Sequence, residues 1–230
     1  MNMTDVRSIQ LYNKNVVRIH NTATGEVVWP TPSLPAHFIR GDYLQQTLSD
    51  NRGAYFTLPI GLNINAEFEI SLVFNSLDQN SEIRRNILGC YDDEEDDIWG
   101  LQVLNDELYF NNEVVQNLIL STGVIYNIII SDTELRINGS LVLNSEKSPF
   151  AWNYLGIYDM ILMDQSTINE AYQADISIYK IRIKEQGNYT YDCVPVINTN
   201  NTYTGLYDLI GGNFHYDYRN PMLLTVHSNT

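Results

Sequence analysis

The densest chemistry in this 230-residue chain is the run Asp92-Asp93-Glu94-Glu95-Asp96-Asp97, six consecutive carboxylates. Calcium prefers several hard oxygen ligands, so Asp92, Asp93, Asp96 and Asp97 are candidate calcium ligands, and calcium is the one candidate cofactor. Adjacent like charges also point in several directions and commonly mark a solvated loop, which is the favoured reading. Glu67 and Glu69 form a second acidic pair. Residues two apart on a strand share a face, and retaining glycoside hydrolysis needs two carboxyls about 5–5.5 Å apart. Here Phe68, Ile70, Leu72 and Phe74 claim the buried face and no third acid follows, so Glu67 and Glu69 are expected to be solvent-facing sheet charges. No catalytic residue is assigned.

The remaining reactive side chains are scattered. His20, His37, His215 and His227 lie in segments with no nucleophile elbow or flanking signature. They are expected at the surface or the core edge. The two cysteines, Cys90 and Cys193, have no zinc spacing and are expected as buried thiols, with a disulfide as the alternative. Sequons at Asn138, Asn188 and Asn200 matter only in a secretory pathway, and their asparagines read as turn residues. Trp152, Tyr154 and Tyr158 share one face of a strand, where a core stripe is favoured over a sugar-stacking platform.

Composition bounds the elements that must position these groups. Thirteen basic against 28 acidic residues give a formal charge of −15, a field that repels phosphate backbones and argues against nucleic acid. No stretch is long and apolar enough for a membrane span. The first twenty residues mix Asp5, Arg7, Lys14 and Arg18 with apolar ones, unlike a signal peptide. A soluble, uncleaved chain is expected. Sixteen tyrosines, with asparagine at about one residue in nine, suit pleated half-buried surfaces joined by turns.

Two regions are expected. Residues 1–35 read as a short β arm ending in a linker that contains Pro30, Pro32 and Pro35, where regular ladder bonding is denied. Its apolar residues Ile9, Leu11, Val17, Ile19, Val28 and Trp29 are candidate partner-binding residues, although an ordinary first hairpin would use the same backbone groups. Residues 36–230 form the body. Residues 66–74 alternate with period two, and a hairpin turns at Asn105 and Asp106. Val124 to Ile130 is apolar enough for a strand covered on both faces. Asn138-Gly139 is a strong hairpin signal because both residues tolerate positive φ. Tyr179, Ile181 and Ile183 share one face, against Lys180, Arg182 and Lys184 on the other. Residues 164–174 admit a short helical turn capped at Ser166 or Thr167. Pro195 suits a sheet edge or a strand start, and the runs 205–209 and 214–218 make a final hairpin across Gly211 and Gly212. Many short strands without strand–helix alternation predict an all-β, two-sheet antiparallel jelly-roll sandwich.

The order of these pieces resembles the concanavalin A-like, laminin-G-like jelly-roll module found in tailed-phage structural proteins and gut bacterial surface proteins. The resemblance spans about residues 36 to 218. Its most specific element is Val194-Pro195-Val196, a turn, Gly205-Leu206-Tyr207-Asp208, then Gly211-Gly212 and the aromatic strand of Phe214 and Tyr216. The resemblance implies a fold and a habit of binding glycans, proteins or metal at loop edges, but no activity in itself. The expected function is a non-enzymatic virion structural protein, part of a head fibre, decoration, tail or baseplate. In that scheme residues 1–35 join other virion proteins, and a homo-oligomer assembles in the host cytoplasm. The alternatives are a glycan-binding adhesin on a phage or bacterial surface and a β-glucan hydrolase.

Overall fold

A computed structural model of the chain describes residues 19–20, 27–29, 34–46, 56–58, 66–77, 82–92, 97–131, 134–144, 155–158, 160–162, 172–217 and 224–228. The first strands are β1 (Ile19–His20), β2 (Val27–Trp29), β3 (Phe38–Arg40), β4 (Tyr43–Gln46), β5 (Phe56–Leu58), β6 (Ala66–Phe74) and β7 (Arg85–Asp92). Next come β8 (Asp97–Leu104), β9 (Glu107–Phe110), β10 (Glu113–Val114), β11 (Ile125–Ser131), β12 (Glu134–Ile137), β13 (Ser140–Asn144) and β14 (Leu155–Ile157). The last are β15 (Met160–Leu162), β16 (Tyr172–Gln173), β17 (Ile176–Glu185), β18 (Asn188–Asn198), β19 (Thr204–Asp208), β20 (Phe214–His215) and β21 (Leu224–His227). Among the described residues there is no helix. Of the expected helical turn, 164–171 lie outside the described residues and Tyr172–Gln173 are strand.

The larger sheet runs β13-β12-β11-β6-β17-β18-β19-β20, with β3 on β18 and β4 on both β17 and β21. The smaller runs β10-β9-β8-β7-β14-β5. Their ladders are antiparallel except where β15 and β16 join β7 in parallel. Among the described residues β1 and β2 pair only with each other. Tight turns set much of this order. Asn138 (φ 51°) and Gly139 (φ 84°) join β12 to β13, and Gln186 (φ 49°) and Gly187 (φ 81°) join β17 to β18, both with the positive dihedrals of a two-residue hairpin. Asn105 (φ 56°) does the same between β8 and β9.

The two sheets face each other across one core. β6 contributes Phe68, Ile70 and Leu72, while β8 and β9 contribute Leu101, Val103, Leu108 and Phe110. Tyr158 spans the sandwich. It is fully buried at φ 67°, and its hydroxyl donates to the Leu44 carbonyl at 2.8 Å, tying the segment after β14 to β4. Burial, then the charge of Asp175, pushes its phenol well above the ordinary range, so it remains a donor. Tyr158→Phe is expected to cost about 1–2 kcal/mol, because the Leu44 carbonyl is left buried without this donor. Urea denaturation checks this, and an unchanged midpoint would refute the tie.

Several local expectations are corrected. β18 carries Pro195 in the sheet interior, not at an edge. On one side β17 pairs up to Cys193 and β3 takes over at Val196, so the missing N–H falls where the neighbour changes. β11 is open on one face, with Ile125 51% exposed, so the apolar run 124–130 does not mark burial on both sides. A bulge between Ile178 and Lys180 shifts β17, placing Ile176, Ile178, Ile181 and Ile183 inward. Tyr179 packs instead against the Tyr43 ring at 5.2 Å. The hairpin β19–β20 forms, but β21 follows it and pairs with β4.

Candidate functional site

The acidic pair singled out by sequence, Glu67 and Glu69, is engaged by cations of a neighbouring strand. Glu67 and Glu69 point away from the core from β6, and both meet cations of β17. Glu67 lies 3.7 Å from Lys184 Nζ, and Glu69 pairs with Arg182 while accepting from the Tyr189 hydroxyl at 3.2 Å. One register further, Lys180 meets Asp192 at 3.2 Å. These carboxylates belong to a cross-strand charge ladder. Asp92 and Asp97 are backbone register partners that close the β7–β8 hairpin, and Asp93 and Asp96 lie outside the described residues. Among the described residues no three His, Cys, Asp or Glu side chains are grouped to hold a metal.

Ile19 pairs with Trp29 across β1–β2 and Val28 lies in β2, whereas Ile9, Leu11 and Val17 are outside the described residues. Trp152 and Tyr154 are also outside them. Cys90 and Cys193 are both buried and are not joined in a disulfide. Burial, then Asp208 and Asp192, pushes the Cys193 thiol well above its usual range, so it is no reactive thiolate. Asn138 is a turn residue, and Asn188 and Asn200 are exposed beside turns. His227 stacks on Tyr43 at 4.9 Å.

The structure instead gathers aromatic residues on the outer face of the larger sheet. Along β18 Cys193 belongs to the main core, so its successor Val194 faces the other way. Val194, Val196 and Tyr207 form a second small cluster there, covered by Leu34, Phe38, Leu209 and Phe214. Leu34 therefore packs on the body although it lies on the arm side of the expected boundary. Phe38 of β3 sits 4.7 Å from the Tyr207 ring and 5.0 Å from Phe214, and His37 lies 4.4 Å from Phe38. Phe214 stacks on Tyr216 at 5.0 Å with planes 16° apart, and Tyr216 reaches Tyr203 at 5.2 Å. His37, Phe38, Tyr203, Phe214 and Tyr216 are all half-buried, a continuous strip of partly solvent-exposed rings.

Exposed amides lie in the two turns that adjoin this strip. The turn after β18 is built by Asn198 Oδ1, which accepts the Asn200 N–H at 3.0 Å, and by Asn201 Oδ1, which accepts the Tyr203 N–H at 3.1 Å. It presents Asn200, Asn201 and Thr202 to solvent, and Asn213 is exposed in the β19–β20 turn. That second turn is held by Asp208, fully buried, whose carboxylate accepts the N–H groups of Asp192, Ile210 and Gly211 at 3.1, 3.0 and 2.7 Å. Ring faces beside exposed amides complement the apolar face and the hydroxyls of a pyranose.

The smaller sheet carries a different polar row. Gln102, between the core residues Leu101 and Val103, faces away from the core and donates from Nε2 to Asn86 Oδ1 at 2.9 Å. At 7% and 5% exposure these two amides are closed to a large ligand. Beyond them Tyr109 donates to Glu107 at 2.9 Å, and the Arg84 guanidinium lies 4.1 Å from its ring centre. Burial first, then the bond to Glu107 and its charge, raises the Tyr109 phenol against the opposing Arg84, so it stays protonated.

In the sequence Tyr207, Phe214 and Tyr216 read as strand residues of the final hairpin. Their usable signal is the alternation Phe214-His215-Tyr216, which puts two rings on one face. Phe38 and Tyr203 have no local signal, because strand order alone brings them there.

Taken together, the two packed, mainly antiparallel sheets define an all-β jelly-roll sandwich, which fits a concanavalin A-like fold. No family model matches the chain, and no curated protein matches it. Among solved structures it is similar to alginate lyase AlgAT5 from polysaccharide lyase family 7, at 14% identity over 63% of this chain and 68% of that one, with a TM-score of 0.36. The expectation of a non-enzymatic protein is corrected by this finding: the solved neighbour is an enzyme, so absence of activity is no longer assigned.

Proposed function

We propose that this chain is a glycan-binding jelly-roll module displayed on a surface assembly, with a tailed-phage particle as its setting. The observation that carries the binding role is the half-exposed strip Phe38–Phe214–Tyr216–Tyr203 with exposed Asn200, Asn201 and Asn213 in the adjoining turns. Rings supply stacking area at low entropic cost, and amides supply paired donors and acceptors for sugar hydroxyls. The formal charge of −15 disfavours polyanions at long range, so the expected ligand is a neutral polysaccharide. The resemblance to phage and bacterial surface modules supports the setting, and capsid, portal or tail genes beside its own gene would test it.

Affinity electrophoresis through gels containing a soluble β-1,3-glucan, a mannan, a galactan, alginate or pectate tests the binding. Retardation by at least one neutral polymer is expected. Tyr216→Ser is expected to weaken it about tenfold, equivalent to about 1.4 kcal/mol. Full retardation by the serine variant, with the wild type retained, would remove the strip from consideration. Sugar release measured in parallel reads any activity.

A further inference from the structure

We propose that the aromatic strip is a pH-gated site: charging His215 at mildly acidic pH loosens β20 and releases the glycan. The inference rests on the glycan-binding reading and adds the regulation of that site. Register fixes the geometry. Phe214 is the partner of Tyr207 and faces outward, whereas His215 is the partner of Leu206, a main-core residue, and is 8% exposed. Its Nε2 is buried with no hydrogen-bond partner. A neutral imidazole tolerates that environment, while a second N–H and a charge there would be poorly accommodated.

The surrounding titratable groups decide the sign. Asp208 on β19 is the nearby carboxylate, but its oxygens are already taken by three backbone N–H groups. Asp217, two residues along, is 1% exposed. On β18 the Asp192 side chain is turned to Lys180, and the Cys193 thiol is kept protonated by burial. Burial, the largest effect, lowers the His215 basicity below its ordinary value of 6.5, against the smaller opposing charge of Asp208. The neutral form is therefore favoured on folding. Its contribution is fully present above about pH 6.5 and is lost as pH falls below that value toward the lower folded one. β20 yields first because it is the terminal strand of its ladder and is joined to β19 by only two register pairs. Phe214 and Tyr216 flank His215 and leave with it, so the binding-competent population and the apparent affinity fall together.

The test compares wild type with His215→Gln, which keeps a polar side chain but does not titrate. Retardation by the three neutral polymers is measured at pH 7.5 and 5.0, alongside hydrogen exchange of residues 214–216 corrected for intrinsic rates. Wild type should lose about tenfold in affinity and lose protection at pH 5.0, with the glutamine variant within about twofold of its own neutral-pH value. Equal losses in both proteins, or none in wild type, would overturn the gate. If no neutral polymer retards the wild type, the glycan reading fails, and the exchange data still decide the gate. His215→Leu serves as the non-titrating variant if glutamine prevents folding.

Discussion

Gly100→Ala is expected to lower stability by about 3–5 kcal/mol, the combined size of an overpacking and a backbone-strain penalty. Gly100 stands in β8 at φ 150°, where an L side chain is strained, and its neighbour Gly89 in β7 has φ 155°. A Cβ on Gly100 would meet the Leu88 carbonyl oxygen and lie 2.7 Å from the Gly89 Cα. Both are backbone atoms in the middle of the smaller sheet, so no side chain can rotate aside. Gly100 also donates its N–H to Asn111 Oδ1 and accepts the Asn111 N–H, each at 3.1 Å, so shifting β8 disturbs β9 as well. At this chain length the expected drop in Tm is about 6–20 °C. Gly139→Ala is the control. Its φ is 84° but nothing lies within 4 Å of the added carbon, so about 1 kcal/mol of strain is expected. Differential scanning calorimetry of both variants checks the contrast, and equal shifts would refute the close-approach argument.

Asp208→Ala is expected to cost about 4 kcal/mol or more, because charge-assisted bonds to buried donors are lost together. The carboxylate binds the Asp192 N–H of β18 and two N–H groups of its own turn, so one side chain fixes both a strand partner and the hairpin end. Asp208→Asn separates the parts. Its remaining oxygen can still take the N–H groups of Asp192 and Ile210, but an amide nitrogen would face the Gly211 N–H, and about half the loss is expected. Guanidinium denaturation of the two variants reads this order. Asparagine as damaging as alanine would mean that charge dominates over geometry.

Features governed by local chemistry were legible in the sequence. Asn138-Gly139 and Asn105-Asp106 form the hairpins their dihedral preferences demand, and the alternation through β6 sorts Phe68, Ile70 and Leu72 inward against Glu67 and Glu69. What escaped depends on partners distant in the chain. Apolar residues 124–130 do not reveal which face of β11 another layer covers, and the bulge near Tyr179 resets the alternation midway along β17. The binding strip is hidden for the same reason: Phe38 and Phe214 become neighbours only because β3 and β19 flank the same strand.

The change of neighbour at Pro195 has a mechanical side. Two short cross-links hold opposite halves of β18, and between them is a residue with no amide proton. Tension that reaches β3 from its N-terminal side bears on three register pairs, Val196 with Arg40, Ile197 with Ile39 and Asn198 with Phe38. These pairs are expected to peel while the β17 pairing up to Cys193 stays closed, because the two ladders share no residue of β18.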